Sequence, residues 1–156
     1  MSTSNIVTKT SLARLLRHWR GLGGTIVFTN GCFDVLHTGH LAVLQQCREA
    51  GDYVVVGLNS DQSVARLKGP QRPYHQENDR AKLLAALRDV DAVIIFEEDT
   101  PLDLIQMIKP DVLVKGGDYQ EEEIAGAAFV RQHGGQVVLV PLVEGKSTTA
   151  ILNATK

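Results

Sequence analysis

With 156 residues, 44% hydrophobic and 22% charged, the chain has the make-up of a single soluble domain long enough to bury a real core. A formal net charge of -2 gives no electrostatic footprint for nucleic acid, and no apolar run nears the roughly 20 residues of a membrane span. Its two cysteines, Cys32 and Cys47, form no disulfide framework, and the first residues lack a basic-then-apolar leader, so a reducing cytoplasm is the expected home.

In chain order, residues 1–9 are polar and read as a frayed tail. Thr10-Ser11 opens a helix with Leu12, Leu15, Leu16 and Trp19 on one face, ended by Gly21, Gly23 and Gly24. This divides the chain into a tail and helix (1–23) and a main domain (24–156). A first strand is expected at 25–29 and a helix from 38 to 50, with Gly51 as its stop. The run at 53–58 is apolar throughout, as a strand covered on both faces should be. Asn59-Ser60-Asp61 offers a cap for a short helix carrying Val64 and Leu67. Next comes Lys68-Gly69-Pro70-Gln71-Arg72-Pro73, a basic segment whose prolines exclude regular helix and central strand.

A further helix opens at 76–79 with Leu83, Leu84 and Leu87 inward, followed by a strand at 91–96. Pro101 starts a helix over 102–108, and Pro110 marks its end. Val112-Leu113-Val114 is a fourth strand, 121–133 a helix with an acidic start, 137–140 a fifth strand and 147–153 a final short helix. Five apolar strands alternating with helices predict an α/β fold: one Rossmann-like, doubly wound domain with a five-stranded parallel sheet.

Ligands of such sheets bind beyond the carboxyl ends of the strands, at the switch point. Four polar loops fall there: 30–40, 59–61, 115–119 and 145–149. The first is Asn30-Gly31-Cys32-Phe33-Asp34-Val35-Leu36-His37-Thr38-Gly39-His40, a strand, a glycine-bearing turn and a helix start, where free N–H groups and the helix dipole suit a phosphate. Gly145-Lys146-Ser147 is no P-loop, because Val140 stands where that motif needs glycine, and no G-x-G-x-x-G follows the first strand. Cys32, His37, His40 and Cys47 match no common zinc spacing, and Cys47 falls on the apolar side of its helix.

His37-Thr38-Gly39-His40, preceded by Gly-x-Phe-Asp-x-x-His, resembles the H-x-G-H nucleotidyltransferase superfamily of glycerol-3-phosphate cytidylyltransferase and phosphopantetheine adenylyltransferase. The full 29–40 segment, Arg66-Leu67-Lys68-Gly69-Pro70-Gln71-Arg72-Pro73 and Lys115-Gly116-Gly117-Asp118-Tyr119 are similar to the ADP-heptose synthase adenylyltransferase family. The resemblance runs from about Gly24 to Leu152. It implies transfer of AMP from ATP, carried with Mg²⁺, to D-glycero-β-D-manno-heptose 1-phosphate in lipopolysaccharide core precursor synthesis. It also implies a homo-oligomer, a dimer in many members, and a separate heptose kinase, with neither nucleic acid nor membrane as partner. No metal ligand is assigned.

The sugar phosphate oxygen is already ionised at neutral pH, so the site must align reactants and stabilise charge rather than supply a base. His37 and His40 are expected to donate to phosphate oxygens, with Lys68 adding a compact positive charge from its loop. Asn30, Gly31, Cys32, Phe33 and Gly39 would offer backbone N–H groups. By resemblance Asp34 orients the turn or lies near the metal and nucleotide, and it also stands on the substrate side; an Asx-turn is the alternative. Lys115 and Gly116 take nucleotide contacts by resemblance, and Ser147, Thr148 and Thr149 offer hydroxyls and N–H groups to a phosphate, or simply cap their helix. On the substrate side stand Asn59, Asp61, Arg72 (bidentate to the sugar phosphate), Arg80 and Asp118. For Arg80 a surface salt bridge is the alternative, and for Asp118 a turn cap. Rival functions are a cytidylyltransferase for glycerol 3-phosphate or another small alcohol phosphate, and a non-catalytic nucleotide-binding module.

Overall fold

Five parallel strands in the order β3-β2-β1-β4-β5 form the frame of the computed structural model, which describes residues 5–141 together with 151 and 152. The elements run α1 (Lys9–Gly21), β1 (Ile26–Gly31), α2 (Thr38–Ala50), β2 (Tyr53–Asn59), α3 (Asp61–Lys68), α4 (Glu77–Ala85), β3 (Ala92–Phe96), α5 (Leu102–Ile108), β4 (Val112–Gly116), a 3-10 turn (Glu121–Glu123), α6 (Ala127–Gln132) and β5 (Gln136–Val140). The chain steps outward from β1 to β2 and β3, then returns to the other side of β1 for β4 and β5. The doubly wound α/β fold read from the sequence is therefore present, with its switch point between β1 and β4.

The apolar strands divide their side chains between two cores, as a period of two requires. Ile26, Phe28, Val55, Ile94 and Leu113 pack under α1, α5 and α6 with Leu12, Leu16, Trp19, Leu104, Ile105, Ile108 and Val130. Val27, Val54, Val56, Val93, Val112 and Val114 face α2 and α4 with Leu44, Cys47, Ala81 and Leu84. Helix α1 thus belongs to the same core as the residues after position 23. At the amino edge of the sheet, Asp52, Asp91 and Asp111 accept the main-chain N–H groups of Thr25, Val54 and Ile26, each at 2.8 Å. These bonds satisfy donors that the ends of neighbouring strands would otherwise leave open. Among the described residues no helix is long and apolar enough to cross a membrane.

Several expectations are corrected. The first residues are not all frayed: Ile6 bridges to Val93, and Thr8 rather than Thr10 caps α1, bonding reciprocally with Ser11. Residues 121–133 are not one helix. Gly126 takes φ 85°, a left-handed conformation that ends the acidic turn before α6 begins. A Cβ there would lie 2.5 Å from Cδ1 of Ile105, so glycine also permits the close pass over α5. In α4 the inward stripe is Arg80, Ala81, Leu84 and Ala85, which turns Leu83 outward at 49% exposure. Gly51 stops α2 in an extended rather than left-handed conformation. The helix expected at 147–153 lies outside the described residues except at its end, where Ile151 and Leu152 are helical.

Candidate active site

The carboxyl end of β1 delivers Asn30 and Gly31, the turn carries Cys32, Phe33 and Asp34, and α2 begins beyond His37. The local sequence explains the geometry of the two histidines. His37 is the N-cap residue, and its Nδ1 accepts the Gly39 N–H at 3.1 Å. Nδ1 of His40 accepts the His37 N–H at 3.3 Å. With both Nδ1 atoms acting as acceptors, an imidazole that is neutral here carries its proton on Nε2. The rings stack at 3.8 Å between centroids, and Phe33 tilts against His40 at 5.0 Å. Burial, then the charges of His37 and Lys68, push the His40 pKa down to about 4. The imidazole is therefore a neutral donor at physiological pH.

Cations converge on this turn. Lys115, at the end of β4, sends Nζ across the switch point to the Asn30 carbonyl at 3.4 Å and sits 5.6 Å from the Tyr119 ring centroid. Burial holds its ammonium pKa below the ordinary lysine value, with Cys32 opposing the shift and Lys68 adding to it. Lys68 is exposed at the end of α3, yet its charge acts on Cys32, His40 and Lys115 alike. Gly116 lets α2 approach β4, because a Cβ there would fall 2.4 Å from Cγ2 of Val43.

Asp34 holds the proline loop closed. Its side chain is 0% exposed; Oδ2 accepts from Arg72 Nε at 2.6 Å, and Oδ1 accepts the N–H groups of Tyr74 at 2.8 Å and His75 at 3.2 Å. Burial alone would raise its pKa, but the Arg72 and backbone hydrogen bonds outweigh this and hold the carboxyl below its ordinary value. Both carboxylate oxygens of Asp34 are thus engaged by the loop it anchors. Nη2 of Arg72 is buried without a hydrogen-bond partner among the described residues, an orphan donor of the kind that a bound anion satisfies.

Of the expected sugar-side residues, Arg72 borders this turn, whereas Asn59 and Arg80 serve the interior. Asn59 is buried and donates to Ser63 Oγ at 2.9 Å. Arg80 is 1% exposed and is enclosed by protein acceptors, so the alternative of a surface salt bridge does not apply. Asp61, half-buried, pairs with Arg80 at 2.7 Å, and Asp118 is exposed. Ser147, Thr148 and Thr149 lie outside the described residues. The sequence reading missed the Tyr74 and His75 amides that hold Asp34, since backbone donors carry no residue-type signal, and it gave Tyr119 no role beside Lys115.

The cysteines differ sharply. Cys47 is fully buried in the α2 core and burial pushes its thiol up to about 12. Cys32 is half-buried, and burial also raises its thiol despite Lys68, Arg80 and Lys115 nearby. Alkylation of the native protein at neutral pH, followed by mass spectrometry, is expected to modify Cys32 slowly and leave Cys47 untouched.

The cytidylyltransferase-like family profile matches residues 28–150. The chain is 51% identical over 150 residues to the bifunctional protein HldE of Gluconobacter oxydans, covering 96% of this chain and 31% of the relative. It is 59% identical over 137 residues to HldE of Hyphomonas neptunium, covering 88% of this chain and 28% of the relative. The chain thus spans under a third of the length of these curated relatives. The crystal structure of the lipopolysaccharide core biosynthesis protein from Thermoplasma volcanium superposes with a TM-score of 0.63 at 31% identity, over 78% of this chain and 98% of that one.

Proposed function

The chain belongs to the cytidylyltransferase-like family, and on that premise we propose that it transfers AMP from MgATP to D-glycero-β-D-manno-heptose 1-phosphate, giving ADP-heptose and pyrophosphate. The observation that carries the chemistry is the pair of histidines at the start of α2, beside the carboxyl end of β1, whose Nδ1 atoms both accept main-chain N–H groups. A phosphate oxygen of the sugar attacks the α-phosphorus of ATP and forms the new P–O bond. The bond from that phosphorus to the bridging oxygen breaks, and pyrophosphate departs with the electron pair. The nucleophile is already an anion, so no proton need be removed. Charge grows instead on the α-phosphate and the leaving group, where the two imidazoles, Lys68 and Lys115 stabilise it.

Arg72 is the natural receiver of the sugar phosphate, because its Nε is spent on Asp34 while Nη2 has no protein partner among the described residues. Magnesium enters with ATP as part of the substrate, held largely by phosphate oxygens and water. The heptose as acceptor is supported by the resemblance over 29–40, 66–73 and 115–119 and by the naming of the structural neighbour as a lipopolysaccharide core biosynthesis protein. Its 1-phosphate would come from a heptose kinase distinct from this domain.

The test is a panel of ATP and CTP against heptose 1-phosphate and glycerol 3-phosphate, read by pyrophosphate release. ATP with the heptose phosphate should dominate. Preferential turnover of CTP would favour the cytidylyltransferase, and no release from any pair would favour a binding module. Lys68→Ala is expected to lower kcat/KM roughly 10-fold or more, the usual cost of one charge-assisted contact, with the melting temperature unchanged because the side chain is exposed. A large loss of thermal stability with normal turnover would assign Lys68 to the fold instead.

A further inference from the structure

The group in this fold least explained by packing is the guanidinium of Arg80. It is the largest fully buried side chain, placed on the inward face of α4 where an aliphatic residue would ordinarily stand. Burying an arginine is costly unless its donors are met, and here four hydrogen bonds meet them. Nε donates to the His75 carbonyl at 2.8 Å, Nη1 to the Cys32 and Asn59 carbonyls, each at 2.8 Å, and Nη2 to Asp61 Oδ1 at 2.7 Å. These acceptors lie on three separate segments: the turn after β1, the end of β2 with the start of α3, and the proline loop. A lysine, with a single nitrogen, cannot span them.

The contact with Cys32 bears directly on the turn. In a trans peptide the carbonyl of one residue and the N–H of the next point in opposite directions. Drawing the Cys32 carbonyl toward Arg80 therefore aims the Phe33 N–H away from it. That N–H makes no hydrogen bond among the described residues, although Phe33 is only 6% exposed. Phe33 also takes φ 45°, a left-handed conformation that a residue with a Cβ adopts at a cost of roughly 1–2 kcal/mol. Such strain persists where the surroundings over-determine it, and it gathers at ligand clamps. A strained residue, an amide without a partner among the described residues and a buried fork fixing the intervening peptide are three signs of one arrangement.

We propose that Arg80 is a positioning residue for the nucleotide: through the Cys32 carbonyl it fixes the Phe33 amide as a preorganised donor to a phosphate oxygen of ATP. It touches neither substrate. By also holding His75, whose N–H bonds to Asp34, Arg80 couples that donor to closure of the proline loop, so the amide is aimed only while the loop is docked. The proposal rests on the reading of this turn as a triphosphate site, but not on the identity of the sugar.

The test uses the full chain with ATP and inorganic pyrophosphate as probes. In the wild type, pyrophosphate should shift the Phe33 amide resonance on titration. Arg80→Lys, which keeps the charge and loses the fork, should weaken ATP binding about 10-fold or more by calorimetry and remove most of the Phe33 shift. A role in folding alone would lower the active fraction and kcat while leaving the ATP dissociation constant unchanged, and that result overturns the proposal. If Arg80→Lys does not fold, Asp61→Asn decides: it loosens the same guanidinium from its half-exposed partner and should weaken ATP binding severalfold. Unchanged ATP affinity in that variant, or an unshifted Phe33 amide in the wild type, also overturns it. Absence of pyrophosphate release with any sugar phosphate would count against the reaction and leave these binding readouts standing.

Discussion

Replacement of His40 by alanine is expected to lower kcat by about 100-fold or more, the loss typical of one preorganised donor to developing phosphate charge, with the sheet and both cores intact. The size follows from the way the ring is held. Its Nδ1 is occupied by the His37 N–H, it stacks on His37, and its remaining N–H has no hydrogen bond among the described residues. His40→Gln, which keeps an N–H donor of similar reach, should recover part of the rate.

The depressed pKa of His40 adds a signature in stability. The unfolded chain takes up a proton on this residue near pH 6.5, whereas the folded one resists until about 4. Acidification through that window therefore destabilises the native state, and the full contribution is present above it. Urea unfolding of wild type and His40→Ala across the window should show this component in the first and not in the second. Wild-type turnover in His40→Ala would end the phosphate-donor role.

The second large effect belongs to Asp34. Asp34→Ala is expected to destabilise the fold by about 3 kcal/mol, the scale for removing one partner of a buried ion pair. It leaves the Arg72 guanidinium without its carboxylate, at 17% exposure, and strips the Tyr74 and His75 amides of their acceptor. A shift of that size should lower the melting temperature by roughly 10 °C. Proteolysis should then cut first within residues 69–75. A variant with wild-type stability and an uncut loop would show that Asp34 does not hold the loop, and would return it to direct contact with ligands.

Much of the architecture was legible because parallel strands buried on both faces are apolar without interruption. The runs at 53–58 and 112–114 could be little else, and helices α2 and α5 run where the glycine after the first and the prolines flanking the second place them. The errors have local causes. Gly126 breaks the helix expected over 121–133 because a left-handed residue is needed where the chain crosses α5, a tertiary demand with no periodic signature. A leucine outranks an arginine on any hydrophobicity scale, so residue type alone points Leu83 inward. In the fold the inward place belongs to Arg80, whose worth depends on carbonyls from distant segments.

The candidate site divides along the same line. His37, His40 and Lys68 could be named from residue type and place in the chain, and Lys115 from the resemblance. What could not be read was the network of main-chain groups that aims them. The Asn30 carbonyl meets Lys115 and the His37 and Gly39 amides hold the two rings, while the Cys32, Asn59 and His75 carbonyls hold Arg80 and the Tyr74 and His75 amides hold Asp34. Their identity as side chains is irrelevant, so a sequence cannot display it.

Attack of a sugar phosphate oxygen on the α-phosphorus of ATP, with departure of pyrophosphate, can be traced through the oxygens themselves. The most direct measurement supplies heptose 1-phosphate with ¹⁸O in its non-bridging phosphate oxygens, together with unlabelled MgATP, and follows both products by mass spectrometry. The account predicts that every labelled oxygen is retained in ADP-heptose, one of them as the new bridge, and that the pyrophosphate carries none. Label in the released pyrophosphate or phosphate, or no ADP-heptose at all, would contradict it.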